Sequence, residues 1–192
     1  MFDSVMIMSF DQWLKESMHV PNLVHDRVWE LFRKVKVEHR QFLFRVDELS
    51  VGIRILLQSP HQPDFSCLPH LMAECVAREE DFGSVGGRYA FSVRTSPFRR
   101  PGGKEKFISD PEGQKAWFME RVHGFNVLKL DCIPERPVRV HKPSGPFDVI
   151  PVNFKGILEV TNCSEFLACV DSGIGRKKNY GLGLLIAEKT EE

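Results

Sequence analysis

The sequence predicts an α+β protein of two tandem ferredoxin-like domains, the RRM-like arrangement in which helices cover one face of an antiparallel sheet. The pattern of apolar residues changes between strand and helix periods in the order βαββαβ, and this order occurs twice in 192 residues. After Pro97 the composition changes to FRRPGGKEK, which is typical of a linker or loop. We therefore expect one domain over residues 1–97 and a second over residues 98–192.

The elements of the first half follow from the spacing of its apolar residues, because alternation predicts a strand and a spacing of three or four predicts a helix. The first predicted helix, for example, places Val24, Val28 and Leu31 on one stripe. The expected elements are a strand over residues 2–10, a helix over 23–34, strands over 41–47 and 52–58, a helix over 66–79 and a strand over 88–95.

The second half repeats this order. Asp110 and Pro111 predict a helix start, as an N-cap followed by proline at the first helical position. The stretch IPERPVRVHKPSGP contains four prolines and is expected to form an irregular loop. The expected elements are a short strand near Lys106, a helix after Asp110, strands over residues 125–132 and 149–160, a helix over 164–171 and a strand over 182–188.

Composition and charge exclude several classes of protein. The 26 basic side chains are balanced by 26 acidic ones, which excludes a globally basic polyanion binder but not a local basic patch. No apolar run approaches the length of a membrane span, and the N-terminal segment carries acids where a signal peptide needs bases. We expect a cytoplasmic protein with no membrane partner.

The five cysteines form no CxxC pair, and we expect them to be reduced and mostly buried. Cys67, His70 and Cys75 form a loose trio whose spacing is more typical of core residues than of metal ligands. The motifs GxSxG and HExxH are absent, as is any carboxylate cluster at metal spacing. We therefore expect no metal site.

The most unusual segment is GIGRKKNYGLG, from Gly173 to Gly183, in which four glycines surround three consecutive cations. It is not a Rossmann or Walker loop, because a helix precedes it and a strand follows it. Either it is a flexible connection with solvated lysines, or its backbone approaches a nucleic-acid phosphate chain. The second interpretation predicts RNA contacts at Gly173, Gly175, Arg176, Lys177 and Lys178.

Two further segments are basic. Taken singly, each is more typical of a solvated surface, but three cationic segments beside a fold that often binds RNA favour a groove that follows phosphates. One segment holds Arg94, Arg99, Arg100, Lys104 and Lys106, and the other holds Arg136, Arg139, His141 and Lys142. The RNA contacts expected among them are Arg94, Arg99, Arg100, Arg136 and Arg139.

Among the seven histidines, His25 is the catalytic candidate. With Asn22 as N-cap it would occupy the third position of the first helix, where the helix dipole disfavours an imidazolium and accommodates an anion. A neutral imidazole beside a phosphate is suited to proton transfer in RNA cleavage. The alternative is a surface histidine that packs beside Trp29.

Several segments along the chain form a recognisable set. The most specific are HDRVWELF, which begins at His25, and the glycine motif of the C-terminal part. The others are Phe42–Phe44, Leu56–Ser59 with the proline-containing loop that follows, Glu135–Pro137 and Phe154–Leu158. Together these segments resemble the CasE family, the CRISPR precursor-RNA endoribonucleases of type I-E Cascade complexes.

The resemblance implies two ferredoxin-like domains and a cleavage that needs no metal or other cofactor. In the implied reaction the repeat 2′-OH attacks the adjacent phosphorus, leaving a 2′,3′-cyclic phosphate and a 5′-hydroxyl, and His25 is the implied catalytic residue, as acid or as base. The implied partners are the CRISPR repeat hairpin and other Cascade subunits, with target DNA met only through the assembled complex. Slow product release would keep the protein on its RNA.

The family often carries a tyrosine three residues before this histidine, where this chain has Asn22. Asparagine cannot transfer a proton, so we expect slower cleavage, with Asn22 limited to a phosphate contact or a helix cap. Tyr180 is a conceivable substitute, although a stacking or packing role fits it equally. The alternative function is a noncatalytic scaffold that binds structured RNA.

Overall fold

The chain forms two compact units in a computed structural model that describes residues 1–18, 20–35, 41–68, 71–79, 82–141 and 145–190. Unit 1 comprises Met1–Glu80 with Asn179–Gly181, and unit 2 comprises Asp81–Lys178 with Leu182–Glu192. Each unit contains a four-stranded antiparallel sheet and a hydrophobic core of its own.

Unit 1 is a ferredoxin-like sheet with helices between its first two strands. Its elements are β1 (Phe2–Met8), α1 (Phe10–Lys15), α2 (Pro21–Glu30), β2 (Leu43–Leu49), β3 (Gly52–Ser59), a 3-10 turn (Phe65–Cys67) and β4 (Met72–Ala77). The strands lie in the order β2-β3-β1-β4, with each neighbouring pair antiparallel. Val24, Val28 and Leu31 are buried against this sheet as the helical spacing predicts.

Helix α2 begins earlier than predicted. Pro21 occupies its first position and Val20 is the N-cap, without a side-chain cap, so the expectation of Asn22 as N-cap is wrong. Proline suits the first position because its φ is already helical and its missing N–H would have no partner there. His25 therefore lies at the fifth helical position, in the second turn, where the helix dipole acts more weakly.

Unit 2 has the same strand order. Its elements are β5 (Arg88–Thr95), β6 (Phe98–Arg99), a 3-10 turn (Pro101–Gly103), β7 (Lys106–Phe107), α3 (Pro111–Met119), β8 (Phe125–Pro134), β9 (Val138–Val140), β10 (Phe147–Val149), β11 (Val152–Val160), α4 (Cys163–Ser172), a 3-10 turn (Lys178–Tyr180) and β12 (Leu185–Lys189). The main sheet has the order β12-β5-β11-β8, while β6-β7 and β9-β10 form two short ribbons. Asp110 caps α3 by accepting a hydrogen bond from the Gly113 amide, as predicted.

The predicted boundary near residue 97 is wrong, because β5 belongs to the second sheet. Strand β5 pairs with β11 and β12, and its alternating Tyr89, Phe91 and Val93 enter the core of unit 2. Alternation predicts a strand and its buried face but not its partner, since pairing depends on residues distant in the sequence. The first strand of the second sheet is thus β5, and the strand predicted near Lys106 is part of the β6-β7 ribbon.

Two further predictions of local structure are wrong. Residues predicted as a helix over 66–79 form a 3-10 turn and β4, which pairs with β1 along the sheet edge. Short apolar runs fit both the helical and the strand period. Here pairing with the edge of β1 makes the segment a strand. The proline-rich stretch, predicted as irregular, contains β9, which pairs with β10.

The cysteines are free thiols, of which only Cys169 is buried and Cys67 is exposed, so the expectation that most are buried is wrong. Burial raises the pKa of the Cys169 thiol. His70 of the weighed trio lies outside the described residues, and among those described no three metal-ligating side chains lie together. Within the same part of the chain, no helix has the length and apolar character needed to span a membrane.

A pair of glycine substitutions tests how tightly the glycine motif is packed. Gly175 has φ +84°, and a Cβ there would lie 2.2 Å from the Thr95 Oγ1 atom, whereas Gly86 has φ +81° with nothing within 4 Å. Both Gly175→Ala and Gly86→Ala incur backbone strain of about 1–2 kcal/mol, but only Gly175→Ala adds a clash. In urea unfolding we expect Gly175→Ala to lose about 3 kcal/mol or more and Gly86→Ala about half as much. Equal losses would show that the packing at Gly175 is not needed.

Candidate functional site

The His25 ring lies on α2 against two aromatic side chains. Its centroid is 6.1 Å from that of Trp29, one helical turn further on, and 5.6 Å from that of Phe42, in the segment before β2. The side chain is 26% exposed. A half-buried imidazole on an aromatic support has a fixed orientation and one edge open to a ligand.

Phe42 holds this support together. Its ring stacks on Phe32 at 5.4 Å between centroids and lies 5.6 Å from Trp29 and 6.3 Å from Phe44. Phe32, Phe42 and Phe44 are all buried. We refer to Trp29, Phe32, Phe42 and Phe44 as the aromatic cluster, because these four rings fix the helix surface that carries His25.

The two nitrogens of His25 have different surroundings. Nδ1 lies 3.3 Å from the Asp26 Oδ1 atom, and an ionised carboxylate can only accept a hydrogen bond. The contact therefore favours the tautomer in which Nδ1 carries the proton. Nε2 makes no hydrogen bond with any described residue, so it is the nitrogen that can exchange a proton with a bound molecule.

The glycine motif reaches the aromatic cluster. Residues 179–181 belong to unit 1, and Gly181, with φ +75°, leaves so little space that a Cβ would lie 3.2 Å from the Phe44 ring. Tyr180 precedes it at the end of a 3-10 turn and is half-buried. The Asn22 side chain lies outside the described part of the chain.

The rest of the glycine motif is packed into unit 2. Gly173 ends α4 with φ +70°, and Ile174 is buried. The Ile174 amide donates to the Gly183 carbonyl at 2.9 Å, and the Gly183 amide donates to the Arg94 carbonyl at 2.8 Å. These contacts contradict a loose connection with solvated lysines, whereas backbone contact with RNA at Gly173 and Gly175 stays a prediction.

The three cations of this motif have different roles in the structure. Lys177 is only 15% exposed and lies 3.0 Å from the Glu105 carboxylate, with its ammonium over the Phe98 and Phe147 rings. Glu105 also accepts from Arg100 at 2.8 Å, and the hydrogen bond from Arg100, reinforced by Lys177, lowers the pKa of Glu105. Lys177 thus connects the glycine motif to the β6-β7 ribbon.

Lys178 is engaged within the protein, whereas Arg176 is exposed to solvent. The Lys178 ammonium donates to the Ser172 carbonyl at the C-terminal end of α4, where the helix dipole favours a cation. Arg176 is exposed and forms no ion pair with a described residue. Of the three consecutive cations, Arg176 is therefore the one whose charge is directed to solvent.

Most of the other predicted arginines are paired with acids. Arg94 lies 2.7 Å from Glu135, and Arg139 contacts both Asp148 oxygens across the β9-β10 ribbon at 2.9 Å. Arg99 is 3.6 Å from Glu120. Arg136 is exposed and, within the described ranges, has no ion pair.

A cleft of about 690 Å³ lies beside the β6-β7 ribbon in unit 2. Arg99, Arg100 and Lys106 line it together with the N-terminal end of α3. Asp110 is also part of its wall. The cations at residues 99, 100 and 106, which the sequence places in one basic segment, thus line one concave surface.

One residue at the aromatic cluster is not distinguished by any sequence pattern. His61 follows Pro60 in the loop after β3, and its Nε2 atom lies 3.0 Å from the Gln41 Oε1 atom. Trp29, Phe42 and His61 line one small crevice. Only the pairing of β3 with its neighbours and the packing of the following loop bring this histidine to Trp29.

The protein thus belongs to the class of tandem ferredoxin-like proteins, and its first unit carries a histidine on an aromatic support. Residues 5–188 match the model of a family described as CRISPR associated protein, and the chain belongs to that family. CasE, a subunit of the CRISPR system Cascade in Escherichia coli K12, is 25% identical over 180 residues, which cover 84% of this chain and 88% of CasE. This match confirms the CasE resemblance.

Solved structures show the same fold. The CRISPR endoribonuclease Cse3 bound to a 19-nucleotide RNA has a TM-score of 0.87 and 22% identity, covering 98% of this chain and all of that chain. Cas6e from Escherichia coli K-12 has a TM-score of 0.77 and 22% identity over 97% of this chain and 98% of that one. The tandem ferredoxin-like prediction is confirmed.

Neighbouring cations of the glycine motif provide a matched test of structural role. Lys177→Gln removes the ion pair with Glu105 and both ring contacts. The backbone of residue 177 is left-handed (φ +63°), and glutamine has the same backbone strain there as lysine. We expect Lys177→Gln to lower the free energy of unfolding by about 1–2 kcal/mol and Arg176→Gln to leave it within about 0.5 kcal/mol. Urea denaturation of both variants measures this. A stable Lys177→Gln protein would contradict the connecting role.

Proposed function

We propose that this protein is a CRISPR precursor-RNA endoribonuclease that cleaves the repeat hairpin and then stays on its product as a subunit of a type I-E Cascade complex. The observation that carries the proposal is the half-buried His25 imidazole on the aromatic cluster, with Nδ1 on Asp26 and Nε2 open to a ligand. A fixed, partly exposed imidazole is the group that most often transfers protons in enzymes.

The named relatives support this proposal. The curated relative is a Cascade subunit, and the similar solved structures include Cse3 described as a CRISPR endoribonuclease bound to RNA and a chain of a CRISPR RNA-guided surveillance complex. Applied to this chain, they favour CRISPR RNA and other Cascade subunits as partners. A cytoplasmic location stays a prediction. Target DNA would be met only through the assembled complex.

The proposed reaction is transesterification within the RNA. The ribose 2′-oxygen forms a bond to the adjacent phosphorus while the bond from phosphorus to the 5′-oxygen breaks, which yields a 2′,3′-cyclic phosphate and a 5′-hydroxyl. One proton leaves the 2′-OH and one is delivered to the 5′-oxygen. His25 transfers one of these protons through Nε2, and a transfer of this kind contributes roughly 10²- to 10⁴-fold.

Positioning accounts for the rest of the acceleration. Holding the 2′-oxygen in line with the leaving oxygen lowers the entropic part of the barrier, and cations beside the phosphate stabilise its developing charge. The residues proposed here need no metal ion for either step, as the CasE resemblance implies. Cleavage should therefore persist in a chelator.

The RNA stem would be held through its backbone. An A-form helix hides its base edges in a deep major groove and presents phosphates and 2′-hydroxyls. Arg136 and Arg176 are exposed and unpaired among the described residues, and the cleft beside β6-β7 collects Arg99 and Arg100. Arg94, Arg99, Arg100 and Arg139 are each engaged by an acid and would contact RNA only by sharing or exchanging those partners.

His25→Ala tests the catalytic proposal. With EDTA present and enzyme in excess over a repeat hairpin RNA from the same genome, we expect single-turnover cleavage to fall at least about 10²-fold, because the proton transfer is lost. Binding of the RNA, measured by filter retention, should change by less than about threefold. The cleaved 5′ fragment should carry a cyclic phosphate, which phosphatase does not remove without prior acid treatment.

The same experiment separates the enzyme from a noncatalytic scaffold. Tight binding of the hairpin by the wild-type protein without any cleavage would support the scaffold. Cleavage that persists unchanged in His25→Ala would refute the role of this histidine. Cleavage that requires added Mg²⁺ would refute the metal-independent reaction.

The two exposed arginines are tested by the salt dependence of binding. Removing one arginine that binds a phosphate should reduce the slope of log Kd against log[salt] by about one unit. We expect Arg136→Gln and Arg176→Gln to show this change. Arg88→Gln serves as the control, because Arg88 is an exposed arginine outside the predicted basic segments. An unchanged slope removes the tested residue from the RNA interface.

A further inference from the structure

A second imidazole, His61, borders the aromatic support of His25. Trp29 and Phe42, which contact the His25 ring, also line a crevice with His61. The crevice holds about 10 Å³, room for no more than one water molecule. His61 therefore lies at the edge of the aromatic cluster, on the crevice that Trp29 and Phe42 line.

The loop that carries His61 is tied to α2 and β3. The Ser59 hydroxyl donates to the His61 carbonyl, and the Asp64 amide donates to the carbonyl of Leu31 at 2.8 Å. Lys34 adds an ion pair with Asp64 at 2.6 Å. Since Leu31 directly follows α2, this helix fixes the loop of His61 and also carries His25.

The hydrogen bonds of the two rings are complementary. The Gln41 amide oxygen lies 3.0 Å from His61 Nε2, and an amide oxygen can only accept, so Nε2 carries a proton. Nδ1 of His61 makes no hydrogen bond with a described residue. When the His61 ring is protonated, its Nδ1–H is therefore a donor available to a ligand. When the His25 ring is neutral, its Nε2 is an acceptor available to a ligand.

We propose that His61 is the general acid of the reaction, with His25 as the base, a pairing that rests on the proposed ribonuclease function. The 2′-OH proton passes to His25 Nε2 as the 2′-oxygen bonds to phosphorus. The proton on His61 Nδ1 passes to the 5′-oxygen as its bond to phosphorus breaks. One proton is taken up and one is released, so the pair returns to its starting state by exchange with water.

Attack in line with the leaving group explains why two separate groups are useful. The attacking and leaving oxygens lie on opposite sides of the phosphorus, so one imidazole cannot contact both at once. His25 is in ring contact with Trp29 and Phe42, and His61 borders the crevice that these two rings line. Each imidazole has one nitrogen held by a protein acceptor, so the two provide a group for each oxygen. Gln41 is then a positioning residue for His61.

A change of leaving atom tests this role directly. A thiolate leaves without being protonated, because the pKa of a thiol is far below that of an alcohol. We would map the cleaved linkage with the wild-type protein and replace its 5′-oxygen by sulfur in the same repeat RNA. On the oxygen substrate His61→Ala should cleave at least about 10²-fold more slowly than wild type. On the sulfur substrate it should cleave within about threefold of wild type.

His25→Ala is the matched control, because a lost base is not replaced by a better leaving group. We expect this variant to stay slow on both substrates. If His61→Ala does not fold, His61→Gln keeps a polar side chain in the loop and allows the same comparison. A variant that cleaves the sulfur substrate at the wild-type rate is thereby shown to be folded.

The outcomes separate the two proposals. Equal losses for His61→Ala on both substrates, or no loss on the oxygen substrate, would overturn the acid role of His61 and leave the ribonuclease function in place. If the sulfur substrate restored cleavage by His25→Ala and not by His61→Ala, His25 would be the acid, and the proposed assignment would be overturned. A wild-type protein that cleaves neither RNA would overturn both proposals together.

Discussion

The contact of Phe42 with four neighbouring rings is the interaction on which the candidate site depends. Phe42 touches His25, Trp29, Phe32 and Phe44, and so joins α2 to the sheet of unit 1. Aromatic pairs contribute beyond the area they bury because their geometry is specific. An imidazole fixed on such a support loses little freedom when a substrate binds, which is a requirement for efficient proton transfer.

Ion pairs between segments also help to fix the framework of the protein. The chain has no net charge, and many of its cations form ion pairs that connect one segment to another. Lys177, Glu105 and Arg100 form such a connection between the glycine motif and the β6-β7 ribbon. The positive potential that would attract RNA then comes from a few exposed arginines such as Arg136 and Arg176, as expected for a local site on a neutral protein.

The glycines of the C-terminal motif illustrate a division between packing and binding. Gly175 and Gly181 have left-handed backbone conformations, and each has a neighbouring side chain in the space of a Cβ. Close packing is therefore sufficient to explain why glycine occupies these positions. Between these two glycines lies the exposed Arg176, whose side chain is the proposed RNA contact of this segment.

The sequence by itself determined the class of fold, most of the elements and the main catalytic candidate. Apolar periodicity is local, so it predicts β5, α2 and β11 and the residues they bury. Residue chemistry and the resemblance to CasE point to His25, which the structure finds on a partly exposed helical surface.

Only the tertiary structure decided the features that depend on distant residues. The assignment of β5 to the second sheet and the formation of β4 follow from pairing with strands remote in the sequence. The structural role of Lys177 depends on Glu105, which lies in a much earlier segment of the chain. The position of His61 beside Trp29 is likewise a result of packing. Local patterns carry no record of such partners, because contacts between distant segments form only when the whole chain folds.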